Sequence, residues 1–242
     1  MSFTSTANKE ISDLQQLIEA ATDIPSALHA IAAAYPGQVV FSTSFSWEDQ
    51  VITHFIFSNQ LPIEVFTLDT GRMFPETYST WSSTLQKYRQ PITPYYPDAT
   101  SLQAFVGEKG PNNFYESVDN RKQCCHIRKV EPLQRALRNK KVWITGIRAA
   151  HSPNRHDMTQ VEWDGSNNLV KYHPLLNWDT DELTAFVHNN NIPYNPLHDR
   201  GFVSIGCAPC TRAIKPGEDF RAGRWWWEDA DKKECGLHVH AN

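Results

Sequence analysis

Three short apolar runs constrain this chain more than anything else in it: Val39-Val40-Phe41, Ile63-Glu64-Val65-Phe66-Thr67-Leu68 and Lys141-Val142-Trp143-Ile144-Thr145. Each has the length and β-branched or aromatic content of a buried strand, and segments of helical periodicity lie between them. Ile11, Leu14, Leu17 and Ile18 recur at helical spacing, and an Ala-rich helix starts at Pro25 and stops at Tyr35-Pro36-Gly37. Further helices are expected from Glu48 to Ser58, from Pro75 to about Arg89, near Ser101–Val106, over Cys124–Arg138 and over Thr180–Asn189. Ile92–Tyr96 reads as a strand, and Val161–Trp163 with Leu169–Lys171 reads as a hairpin around Asp164-Gly165. Strands alternating with helices imply an α/β fold: a mostly parallel twisted sheet with helices on both faces. The stretch from about Pro216 is charged and Trp-rich, so the expected division is an α/β domain over 1–215 and a mobile C-terminal tail over 216–242.

Such sheets bind ligands beyond the C-terminal ends of their strands. The three clear strands end in Ser42-Thr43-Ser44-Phe45-Ser46, in Asp69-Thr70-Gly71-Arg72 and in Gly146-Ile147-Arg148. The first turn offers hydroxyls and backbone N–H groups to an anion, although it also reads as an ordinary capped strand-to-helix turn. In the second, Arg72 has the planar fork that matches phosphate or sulfate oxygens, or else it is a solvated turn residue. The chain is mildly acidic, with 23 Lys plus Arg against 27 Asp plus Glu. It nevertheless gathers Arg128, Lys129, Arg148, Arg155, Arg212, Arg221 and Arg224 around its marked features. That grouping points to a small, strongly anionic substrate and away from nucleic acid. No apolar run is long enough for a membrane helix, and the start MSFTSTANKE lacks the basic and apolar regions of a signal peptide, so a cytoplasmic enzyme is expected.

There are five cysteines: the adjacent Cys124 and Cys125, Cys207 and Cys210 in CAPC, and Cys235 near the end. An odd number without a secretion signal argues against a disulfide framework. Two close pairs suit a Cys-ligated [4Fe–4S] cluster or a structural zinc; CAPC also fits a redox pair, and the adjacent cysteines fit small buried side chains. Cys235 is left as a candidate reactive thiol, with Lys232 and Lys233 favouring its thiolate, Glu234 opposing it and His238 three residues on.

Taken together, STSFSWED, LDTGR, CCHIRKVEPL, GIRAAHSPNR, CAPCTRAIKPGEDFRAGRWWWE and KKECGLH resemble the assimilatory sulfonucleotide reductases, in particular their iron–sulfur branch acting on adenylyl sulfate (APS). The resemblance spans roughly residues 38–240. It implies an adenine-nucleotide α-hydrolase-like fold and thiol-dependent reduction of activated sulfate to sulfite and AMP. It further implies a [4Fe–4S] cluster on Cys124, Cys125, Cys207 and Cys210, with Lys129 between cluster and substrate. Ser42, Thr43, Ser44, Phe45, Ser46, Asp69, Thr70, Gly71, Arg72, Arg148, Arg155, Arg221 and Arg224 would serve the substrate. Cys235 would be the nucleophile, with His238 beside it. With four cysteines committed, the second thiol must come from outside, which makes thioredoxin or glutaredoxin the expected partner; a homo-oligomer is compatible with the reading. The alternatives are a reductase for the 3′-phosphorylated nucleotide (PAPS) or for both nucleotides, and a zinc-stabilised nucleotide-binding regulator.

Overall fold

In a computed structural model, which describes residues 3–149 and 158–229, the strands form one six-stranded sheet in the order β3-β2-β1-β4-β6-β5. The strands are β1 (Val39–Ser42), β2 (Glu64–Leu68), β3 (Thr93–Tyr95), β4 (Val142–Ile144), β5 (Val161–Asp164) and β6 (Leu169–Tyr172). Every neighbouring pair is parallel except β5–β6, the expected hairpin, whose second strand also runs parallel to β4. The helices are α1 (Phe3–Glu19), α2 (Ile24–Ala34), α3 (Trp47–Ser58), α4 (Pro75–Tyr88), α5 (Ala99–Lys109), α6 (Val118–Cys125), α7 (Glu131–Ala136) and α8 (Thr180–Asn189).

The pleat divides the core. Val39 and Phe41 join Val65, Val142 and Ile144 on one face, packed with Leu28 and Ile31 of α2, Ile52 and Ile56 of α3 and Leu183 of α8. Val40, Phe66 and Trp143 point the other way, onto Leu133 and Ala136 of α7. Alternate side chains of one apolar run thus bury against helices on opposite faces, as doubly covered parallel strands must. The chain builds outward from β1 to β2 and β3, then returns to place β4 on the other side of β1. A topological switch point therefore lies between β1 and β4, where a crevice opens beyond the strand ends.

Two sequence expectations are refined. The stretch expected to be helical over Cys124–Arg138 is helical as far as Ala136, but it runs through the end of α6, a π-helical segment (His126–Val130) and α7, with Pro132 in the first turn of α7, where its missing N–H costs least. The tail expected from Pro216 is packed over its described part. Trp225 is 1% exposed, Thr211 and Arg224 form an antiparallel bridge, and Arg121 pairs with Glu228 at 2.7 Å. No described helix is long and apolar enough to cross a membrane.

Candidate active site

The crevice at the switch point is lined by Ser42, Thr43, Ser44 and Ser46 after β1, and by Thr145, Gly146 and Ile147 after β4. Its far wall is Val203–Ile205 with Phe220, Arg221, Arg224 and Trp225, and Lys129 closes one side. The turn after β1 is held rigidly. Phe45 has φ 62°, its N–H donates to Thr43 Oγ1 at 3.1 Å, and its fully buried ring stacks on Trp81 at 5.6 Å. Phe45 therefore anchors the turn in the core, a strained conformation that the buried ring keeps in place, while the serines face the crevice. Ser44 donates from both its N–H and its hydroxyl to Asp49 Oδ2, each at 2.6 Å. Ser42 Oγ accepts the Trp143 indole N–H at 2.9 Å. Ser46 is the N-cap of α3 but makes no side-chain capping bond, and the end of α3 facing the crevice is the one that favours anions.

Beneath the turn lies Asp49, 6% exposed. Burial pushes its pKa up to about 7; the neighbouring Glu48 adds to this and the two Ser44 donors oppose it. Gly146 passes so close that a Cβ there would sit 2.1 Å from Asp49 Oδ1, so any side chain at this position would have to displace the Asp49 carboxylate.

Arg148 is directed elsewhere. It is 2% exposed, its Nε donates to Glu48 Oε1 at 2.9 Å, and its other nitrogens bond the Trp178 carbonyl and the Thr180 hydroxyl. The guanidinium braces α3 against the start of α8 and does not line the crevice. The turn after β2 is also directed away. Asp69 accepts the Gly71 N–H at 2.8 Å and the Tyr78 hydroxyl at 2.9 Å, and Gly71 has φ 69°. Arg72 bonds the Pro111 carbonyl and Asn112 and lies over the Phe114 ring, while its own carbonyl accepts the Ala208 N–H.

That turn instead serves a second cavity, small and apolar, lined by Cys124, Cys125, Cys207 and Cys210 together with Arg72, Arg121, Arg128 and Lys129. The adjacent cysteines end α6 and CAPC forms a short 3₁₀ turn; all four thiols are free. The π segment inserts its extra residue immediately after Cys125, which turns Arg128 inward to donate to the Thr70 carbonyl at 2.6 Å and brings Lys129 to both cavities. Burial raises the Cys124 thiol pKa and pushes Cys210 up to about 12, the latter aided by its neighbour Cys207. Burial opposes ionisation of Cys207 as well, but Lys129, the Thr70 hydroxyl, Arg224 and Arg128 outweigh it and the pKa falls. Among the described residues, no three His, Cys, Asp or Glu side chains converge tightly enough to hold a single metal ion.

Two sites thus share a wall. Lys129 lines both, and Trp225, in the crevice wall, packs in the same cluster as Cys125 and Cys210. Of the expected site residues, Ser42, Thr43, Ser44, Ser46, Lys129, Arg221 and Arg224 meet at the crevice. Thr70 and Arg72 meet at the cysteines, Asp69 and Gly71 shape the turn between, and Phe45 and Arg148 are interior braces. Arg155, Cys235 and His238 lie outside the described residues. Nothing in the sequence marks Val203–Ile205 as crevice wall, and Phe220 and Trp225 stand there only within the longer CAPC motif with no role attached, because the wall forms only when distant segments pack.

The family description "Phosphoadenosine phosphosulfate reductase domain" matches residues 38–213. A protein named adenosine 5′-phosphosulfate reductase from Agrobacterium fabrum (strain C58) is 49% identical over 210 residues, covering 87% of this chain and 81% of its own. One of the same name from Allochromatium vinosum is 48% identical over 200 residues, covering 83% and 78%. Among solved structures, phosphoadenylyl-sulfate (PAPS) reductase from Candida auris, a phosphate complex, superposes with a TM-score of 0.68 at 26% identity, covering 84% of this chain and 96% of that one.

Proposed function

The chain belongs to the phosphoadenosine phosphosulfate reductase family, and from that premise we propose that it reduces adenosine 5′-phosphosulfate to sulfite and AMP in sulfate assimilation. The observation that carries this reading is the shared wall: an anion crevice and a four-cysteine cavity with Lys129 lining both. The names of the relatives at 48–49% identity support the nucleotide without a 3′-phosphate.

The crevice residues divide the work by chemistry. The serine turn and the start of α3 receive the phosphate, as backbone N–H groups and hydroxyls at a helix N-terminus do. Lys129, Arg221 and Arg224 face the sulfonyl end and the bridging oxygen. The Cys235 thiolate attacks the sulfur of the P–O–S anhydride, forming an S–S bond; the S–O bond breaks and its electron pair leaves on the AMP phosphate. Charge develops on that oxygen, where fixed cations lower the barrier most. The product is a Cys235 S-sulfonate, a covalent intermediate. An external dithiol such as thioredoxin then attacks the Cys235 sulfur, expels sulfite and closes its own disulfide, supplying the two electrons that take sulfur from sulfate to sulfite. Such a donor is kept reduced in the cytoplasm, which supports that location. The chain can deliver the nucleophile: Trp225 lines the crevice, and the ten residues from there to Cys235 span at most about 35 Å when extended.

The cysteine cavity fits a [4Fe–4S] group. Four soft donors line it, and four cations, Arg72, Arg121, Arg128 and Lys129, offset the charge that four thiolates would carry. Cys124, Cys125, Cys207 and Cys210 would hold it, and when bound it would supply a fixed charge that orders Lys129 at the shared wall.

The test is intact-mass spectrometry after incubation with adenosine 5′-phosphosulfate and no thiol. A sulfonate adduct located on Cys235, discharged as sulfite by reduced thioredoxin, is the expected result. No adduct, or one on another cysteine, overturns the proposal. The resemblance to a PAPS reductase structure makes the 3′-phosphorylated nucleotide the second substrate to compare, and equal kcat/KM on the two would remove the preference stated here.

A further inference from the structure

Arg121 is fully buried and holds Glu228 through two parallel bonds, Nε to Oε1 at 3.0 Å and Nη2 to Oε2 at 2.7 Å. The same guanidinium hydrogen-bonds the Cys125 sulfur and lies 4.7 Å from the centre of the Trp225 ring. The Trp225 ring has a second guanidinium, that of Arg224, at the same distance, and the Trp225 backbone N–H donates to the Cys210 carbonyl at 3.2 Å. Its φ of 40° is one that a bulky residue keeps only where its surroundings impose it. One side chain therefore ties three things together: a cysteine of the cavity, the tryptophan of the crevice wall, and Glu228, seven residues before Cys235 in the sequence.

A buried ion pair is seldom better for stability than apolar groups of the same shape, but its planar two-point bond fixes position closely. Resting on the function proposed above, we propose that Arg121 is a positioning residue. By clamping Glu228 to the cysteine site it fixes the root of the C-terminal segment and keeps Cys235 at high local concentration at the crevice. A short tether from a fixed root keeps the thiol within reach; a root that wanders dilutes it and spoils its angle of attack.

The experiment compares wild type with Arg121→Lys and Glu228→Gln, which keep size and burial but lose the paired fork. The single-turnover rate of Cys235 sulfonation is read by intact mass at saturating adenosine 5′-phosphosulfate, with no thiol donor. AMP affinity, iron content and the rate of trypsin cleavage at Lys232 and Lys233 are read on the same samples. Sulfonation should slow about tenfold or more. AMP affinity should stay within about twofold and cleavage should accelerate. Wild-type rates of sulfonation or of cleavage would overturn the inference. So would a slowing matched by equal losses of AMP affinity and iron, which is what a merely structural pair would give. A wild-type protein that forms no adduct at all would instead bring down the functional reading beneath it.

Discussion

The crevice and the cysteine cavity differ in how they are assembled. The cavity draws its sulfurs from two contiguous motifs, CC at the end of α6 and CAPC in a 3₁₀ turn, so each pair is already set by local spacing. The crevice is drawn from the ends of β1 and β4, the π segment and the chain around 203–225, and it exists only because the chain, having added β2 and β3 on one side of β1, crosses over to add β4 on the other. A local motif announces its chemistry in sequence. A surface made at a switch point announces its position but not its membership.

The largest expected effect separates chemistry from both regions at once. Cys235→Ser should abolish sulfite formation while AMP binding and iron content persist, as read by a sulfite assay, equilibrium dialysis and metal analysis. Loss of all three together would mean that Cys235 belongs to the architecture. Next comes the side chain that the two regions share. Lys129→Met should lower kcat/KM about 10²-fold or more by removing a cation from the developing charge, with the greater share in kcat. A change confined to KM would place Lys129 in the crevice alone.

Arg148→Met removes the guanidinium from a buried ion pair with Glu48 and should cost about 3–5 kcal/mol of stability in urea unfolding. Near-normal stability with lost nucleotide binding would return Arg148 to the substrate. The smallest effect is one of pH. Because the folded-state pKa of Asp49 is raised from 3.8 to about 7, the folded protein holds a proton that the unfolded chain has released across that interval. The contribution of Asp49 to stability is thus complete at low pH, is lost as pH rises through about 7, and is flat above that. Asp49→Asn should flatten that part of the stability–pH curve, measured as the urea midpoint between pH 5 and 8; an unchanged slope would show that Asp49 is charged throughout.

Much of the fold is legible in the amino-acid sequence. β1, β2 and β4 stood out because each is a short apolar run bounded by polar turns, and α8 because its acidic first turn follows an Asp N-cap that binds the Glu182 N–H at 2.7 Å. The cysteine pairs were legible for the same reason of local spacing. The partners of cations were not. Arg72, Arg148 and Arg224 look alike in sequence, yet one reaches Asn112, one is buried against Glu48 and one lies over Trp225 in the crevice wall. Which acceptor a guanidinium meets is decided by packing across tens of residues, which periodicity does not encode. Phe45 was misleading in a similar way, since a hydroxyl-rich turn gives no sign that its aromatic member must turn inward to brace it. The π segment was hidden too, because an inserted helical residue leaves composition unchanged.

The proposed chemistry depends on a division among thiols, which brief alkylation of the anaerobically purified native protein followed by peptide mapping would reveal. A single labelled cysteine, Cys235, with Cys124, Cys125, Cys207 and Cys210 protected until the protein is denatured and its metal chelated, is the result predicted. Labelling of Cys124 or Cys207 at the same rate as Cys235, or a protected Cys235, would contradict it.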